Sequence, residues 1–312
     1  MKRTLILFCF ILLTASLASA GDWQVLRFPV EDNLNGIFFT APDTGYAVTG
    51  FGHIARTLNG GNNWDRLYTI DNNPLEDVHF NNFKTGYVCG RNGVLLKTTD
   101  GGTSWENISP ADSTIWFFDV EMFDLDTGMV IGMYDDNSNS MVGVAYRTVN
   151  GGKSWKKLDG MGTGYSELFY QDGYPLALLS YGRIHYSADK GKTWKPYMTV
   201  ENAPPARAFT YLGKNAIMCG PSGMVAFSTN YGKTWRNLTI DDEMVFIAAQ
   251  LVGKDHAFIG GYKNVLYETK DGGLSWDPIA MKKLFDIMDF FYIGNKLYAC
   301  GSNSGIMVKT IE

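Results

Sequence analysis

Gly86-Tyr87-Val88-Cys89-Gly90-Arg91-Asn92-Gly93-Val94-Leu95-Leu96-Lys97-Thr98-Thr99-Asp100-Gly101-Gly102-Thr103-Ser104-Trp105 decides the reading of this 312-residue chain. It holds two short apolar runs of β type, a glycine-rich turn between them, and a polar turn that ends on tryptophan. The closing octet recurs six times: residues 57–64 (TLNGGNNW), 98–105 (TTDGGTSW), 148–155 (TVNGGKSW), 187–194 (SADKGKTW), 228–235 (STNYGKTW) and 269–276 (TKDGGLSW). Seven of the eight tryptophans fall in one series, Trp23, Trp64, Trp105, Trp155, Trp194, Trp235 and Trp276, at intervals of 41, 41, 50, 39, 41 and 41 residues. Six copies in register make repetition the organising fact of the sequence.

Each octet has the chemistry of a hairpin corner. The Asx residues Asn59, Asp100, Asn150, Asp189, Asn230 and Asp271 can accept backbone N–H groups in an Asx-type turn, and the glycine common to all copies suits positive φ. The tryptophan then opens the next strand and lays its ring over the corner. A period of about 41 residues therefore holds four short strands, the size of a propeller blade. In the second unit the four strands are expected at residues 77–80, 87–90, 94–98 and 105–108.

With these motifs the chain resembles the BNR/Asp-box repeat found in sialidases, some large glycanases, sortilin-type receptors and photosystem II assembly factors. It is most similar to the photosystem II stability/assembly factor-like family. The resemblance covers the chain after its first twenty residues. It implies a seven-bladed propeller and non-catalytic binding of a membrane protein during assembly, with no cofactor. That family also carries a basic patch, which cannot be transferred here residue by residue.

The ends of the chain bear on the blade count. Gly305-Ile306-Met307-Val308-Lys309-Thr310 starts a seventh unit that lacks its tryptophan strand, and Trp23-Gln24-Val25-Leu26 matches Trp64-Asp65-Arg66-Leu67. The expectation is an all-β, seven-bladed propeller with four-stranded blades, its ring closed by the N-terminal strand completing the last blade. Residues 1–20 read as a cleaved signal peptide: Lys2 and Arg3, an apolar run, then Ala18-Ser19-Ala20. Residues 21–312 would be a single propeller domain, secreted or periplasmic. No later segment is long and apolar enough to span a bilayer.

Composition narrows the functions. The chain is 45% hydrophobic and 19% charged, which excludes a disordered polyampholyte. Removing Lys2 and Arg3 takes the formal charge from −5 to −7, against any broad grip on nucleic acid. Cys89, Cys219 and Cys300 share one strand position in separate units and read as buried thiols. His53, His79, His185 and His256 show no ligand spacing, and the recurring Asx residues read as turn formers instead of calcium ligands, so neither metal nor cofactor is expected.

Catalysis would need carboxylates that meet in one cleft. Asp77, Asp119, Glu121, Glu167, Asp286 and Asp289 lie on or beside inner strands, and sequence does not show which of them meet. Arg27-Phe28-Pro29 resembles a sialidase signature but follows Trp23 on the outermost strand. A carbohydrate-binding protein or divergent, sialidase-like glycoside hydrolase is the alternative to a non-enzymatic scaffold.

For a protein partner, the variable loops on one propeller face carry the candidate residues. Trp116, Tyr165, Phe246 and Phe285 would form an aromatic rim, with packing between inner strands as the other reading. Arg91, Arg207 and the inserted Asp135 and Asp136 accompany them. A separate candidate basic patch comprises Arg56, Lys97, Arg147 and Lys309, the residues just before four of the repeated corners; ion pairing between blades is its alternative. The expected partner is a membrane or envelope protein, with a glycan as the alternative ligand.

Overall fold

The computed structural model describes residues 23–110, 114–135, 141–159, 165–170, 176–180, 183–199 and 206–312. They build an all-β propeller of four-stranded antiparallel sheets, seven among the described residues, without helix. Their inner strands, in chain order, are Leu34–Phe39, Leu75–Phe80, Trp116–Met122, Tyr165–Phe169, Ala208–Leu212, Phe246–Leu251 and Ile287–Ile293. Each inner strand packs on the next, and the last packs on the first. In the second sheet the strands are Leu75–Phe80, Gly86–Gly90, Leu95–Thr98 and Glu106–Asn107, within two residues of expectation at every end.

The seventh sheet takes its outer strand from the start of the chain. Gln24–Val25 pairs antiparallel with Gly305–Thr310, Gln24 opposite Val308. Leu26 N–H then donates to the Ile306 carbonyl at 3.0 Å. Trp23 is buried and meets Phe258 of the sixth sheet edge to face, while Leu26 and Phe28 pack with Trp64 of the first.

The octets fold as their chemistry requires. Thr98 Oγ1 donates to Asp100 Oδ1 at 2.9 Å and accepts the Gly102 N–H at 2.9 Å, while Asp100 Oδ1 accepts the Ser104 N–H at 2.9 Å. The same links recur around Asn59, Asn150, Asp189, Asn230 and Asp271. Gly102, at φ +83°, lies under the Tyr46 and Trp105 rings, where a Cβ would sit 3.1 Å from the former. Loop hydroxyl and N–H donors hold the Asp100 and Asp271 carboxyls down at about 2, so those anions are already satisfied.

The seams between sheets explain the basic residues. Tyr46 Oη and Arg56 Nη1 of the first sheet both donate to the Gly101 carbonyl of the second, at 3.1 and 2.9 Å. Tyr87 Oη and Lys97 Nζ treat Gly151 of the third sheet alike, and Arg147 Nε reaches the Lys190 carbonyl of the fourth. Lys309 pairs with Glu268 of the sixth sheet at 3.9 Å. Arg56, Lys97, Arg147 and Lys309 therefore do not form an open patch. Three cap turn carbonyls that would otherwise be orphaned at the seam, and only Lys309 fits the ion-pair reading. Cys89, Cys219 and Cys300 are buried free thiols, as their shared strand position implied.

Candidate functional site

Inner strands are sheet edges, and alternate backbone N–H groups on such an edge face away from the sheet. Here they face a central channel of about 310 Å³, walled by Asp77, Asp119, Glu121, Glu167 and Asp289 among others. In six sheets the inner strand shifts register near its start, and the residues after the shift are Gly36, Asp77, Asp119, Glu167, Ala248 and Asp289. Four of these carboxylates reach the following sheet. Asp289 accepts the Ile37 N–H at 3.0 Å, Asp77 that of Val120 at 3.1 Å, Asp119 that of Leu168 at 2.6 Å, and Glu167 that of Phe209 at 2.7 Å. The acids thus meet in one channel, but as clasps between neighbouring sheets.

Burial governs their protonation. Loss of water pushes Asp77 up to about 6, Asp289 to about 7 and Glu167 to about 8, partly offset by the N–H bonds each accepts. Asp119 is raised well above the carboxylate range by burial and by the charges of Asp77 and Glu121. His79 Nδ1 lies 3.4 Å from Glu121 Oε2. Burial alone would lower His79; the Glu121 and Asp77 carboxylates outweigh it and raise the imidazole. Asp286 is not part of this wall. It sits in a loop, where its Oδ1 accepts the Asn264 N–H at 3.2 Å.

The channel opens on the loop face into a wider depression of about 800 Å³, and Asn35, Glu76 and Met288 line both spaces. Trp116 and Arg91 stand in this mouth. The Arg91 guanidinium lies 3.8 Å from the centre of the Trp116 ring, and Glu76 Oε1 accepts from Arg91 Nε at 3.2 Å and Trp116 Nε1 at 2.9 Å. Asn35 Nδ2 donates to the other Glu76 oxygen at 3.3 Å, so one half-buried carboxylate ties three sheets together. Phe51 and Tyr262, 60% and 44% exposed, complete an aromatic lining.

Two aromatic expectations need correction. Phe246 and Phe285 are 0% exposed and belong to the sheet cores: Phe246 is in register with the buried Phe117 rather than with Trp116, and Phe285, two residues before the strand Ile287–Ile293, is in register with the buried Ile115. Arg207 and Asp135 are exposed but do not line the mouth. The Tyr165 side chain and Asp136 lie outside the described residues. Phe51 and Tyr262 escaped the sequence reading, although a signal existed. Both follow the glycine that ends the second strand, the slot filled by Arg91, Pro221 and Ser302 in other units.

Among the described residues no group of three His, Cys, Asp or Glu could hold a metal ion. His53 bonds Thr69 within its own sheet, and His256 bonds Glu268. No described helix is long and apolar enough to cross a membrane.

A family model for the photosynthesis system II assembly factor YCF48 matches residues 15–203. The chain belongs to this family. Solved YCF48 structures share its fold: one bound to a D1 peptide is 19% identical, with a TM-score of 0.77 over 96% of this chain and 100% of that one. YCF48 from Cyanidioschyzon merolae is 17% identical, with a TM-score of 0.74 over 93% and 99% of the two chains. The WD40 propeller domain of Doa1, at 12% identity and a TM-score of 0.70 over 93% and 96%, shows how general the YCF48 fold is. No curated protein matches.

Proposed function

We propose that this YCF48-family chain is an exported, non-catalytic propeller that docks a polypeptide partner on its loop face during assembly of an envelope or membrane protein. Its seven sheets form a closed ring, sealed by residues 23–27, which holds the loops in fixed positions. The carrying observation is the mouth itself: a depression of about 800 Å³ with exposed Phe51 and Tyr262 beside the rigid Trp116–Arg91–Glu76 stack. Aromatic and arginine anchors in a preformed hollow are the usual centre of a protein-binding surface. Family membership supports the reading, as does a solved relative that holds a peptide. Export rests on the apolar leader and its Ala-x-Ala exit.

Convergence of channel carboxylates beside aromatic rings favours, as a second reading, a glycan ligand or sugar hydrolysis. The clasp role of four of those acids accounts for them without it.

The test is capture from detergent-solubilised envelope by the tagged chain, compared with a Phe51→Ala/Tyr262→Ala variant of unchanged melting temperature. Docking predicts one membrane protein enriched by the parent and at least tenfold less by the variant. Equal capture by both would sink the proposed face, and retention of glycoconjugates alone would move the reading to sugar.

A further inference from the structure

The lining of the mouth is richer in acids than in bases. Among the described residues Glu31, Asp32 and Glu76 line the mouth with one cation, Arg91, while Lys283 Nζ donates to the carbonyl of the lining residue Ser304 at 2.8 Å. Arg91 is spent, since Glu76 takes its Nε–H and Trp116 takes its flat face. Further in, five carboxylates share the wall with one base, His79. Burial keeps Glu167 and Asp119 mostly protonated at neutral pH, so the charge that meets an entering chain is that of the mouth, focused by its low-dielectric walls. Two exposed aromatic residues, Phe51 and Tyr262, flank the entrance. Aromatic faces attract ammonium and guanidinium groups by their quadrupole.

From this complementarity we infer that the segment docked at the mouth is cationic: an extended polypeptide stretch that presents a lysine or arginine side chain toward the channel between Phe51 and Tyr262. The inference rests on the docking reading above and adds the chemistry of the partner. An acidic segment would bring like charge against Glu31 and Glu76 and would find the lining cation Arg91 already paired with Glu76.

Fluorescence anisotropy with two tagged peptides tests this, one repeating Ser-Lys-Phe-Gly and its counterpart with Glu for Lys. At low salt and neutral pH the lysine peptide is expected to bind the whole chain at least tenfold more tightly than the glutamate peptide, with the gap narrowing as salt rises. Glu31→Gln and Glu76→Gln, checked for unchanged melting, should each weaken the lysine peptide several-fold and leave the glutamate peptide bound no more weakly than before. Tighter binding of the glutamate peptide, indifference of the lysine peptide to both substitutions, or no binding of either would overturn the inference. The docking reading fails separately, by equal capture of the envelope partner by the Phe51→Ala/Tyr262→Ala variant.

Discussion

Deletion of residues 23–27 is expected to lower the unfolding temperature by about 15 °C. It removes the buried Trp23 and Leu26, each worth about 2–5 kcal/mol at a core position, and the ladder to Gly305–Thr310, at about 1 kcal/mol per hydrogen bond. Trp23 packs on Phe258 and Leu26 beside Trp64, so loss of the segment opens the cores of the sheets on both sides. For a chain of this size a kcal/mol moves the midpoint by about 2–4 °C. Trp23→Ala alone should give about half the effect. Calorimetry within a couple of degrees of the parent would mean that the ring does not depend on this strand.

The second large effect is an acid-shifted stability optimum. Asp77, Asp119, Glu167 and Asp289 hold protons in the folded state that the unfolded chain has released by about pH 4–5. The folded state therefore binds more protons, and stability falls as pH rises through the folded values of about 6, 7 and 8. His79 acts in the same direction: its raised imidazole favours the protonated fold, and that contribution disappears as pH climbs past its folded value. Asp100, Asp124 and Asp271, held down at about 2, act the other way, but only when pH falls below about 4. The melting temperature should thus peak near pH 5 and drop by on the order of 10 °C by pH 8.5, since a tenfold difference in proton affinity between the folded and unfolded chain is worth about 1.4 kcal/mol.

Glu167→Gln and Asp289→Asn separate charge from clasp. Their amide oxygens can still accept the Phe209 and Ile37 N–H groups, but they carry no charge. Both variants should melt higher than the parent at pH 8.5 and no higher at pH 5. A parent profile that is flat or rises toward alkaline pH would mean that the channel carboxylates are not left uncompensated in the fold.

Local repetition made the frame readable from the chain. The octet from Thr98 to Trp105 contains the hydrogen-bond partners of its own Asx turn, so that turn is written locally, although its Gly101 carbonyl is capped from the first sheet. The strand boundaries around it followed within two residues. The match of Trp23-Gln24-Val25-Leu26 to Trp64-Asp65-Arg66-Leu67 placed the first strand beside the last because both satisfy the same slot. What crosses between sheets was not readable. Asp77 and Val120, or Arg56 and Gly101, are more than forty residues apart, and no local pattern says that one serves the other. Arg56, Lys97 and Arg147 looked like a patch because the sequence shows their period but not the next sheet's carbonyl. Phe246 and Phe285 look like Trp116 in sequence, yet strand position buries them and leaves Phe51 and Tyr262 in solvent.

Site-specific photocrosslinking in the intact envelope tests the docking face most directly. A photoreactive phenylalanine analogue would replace either Phe51 at the mouth or Phe83 between the first two strands of the second sheet, where an equally exposed ring lies outside the mouth lining. Docking at the mouth predicts a discrete crosslink to one polypeptide from position 51 and none from position 83. A polypeptide crosslink from position 83 alone would contradict it.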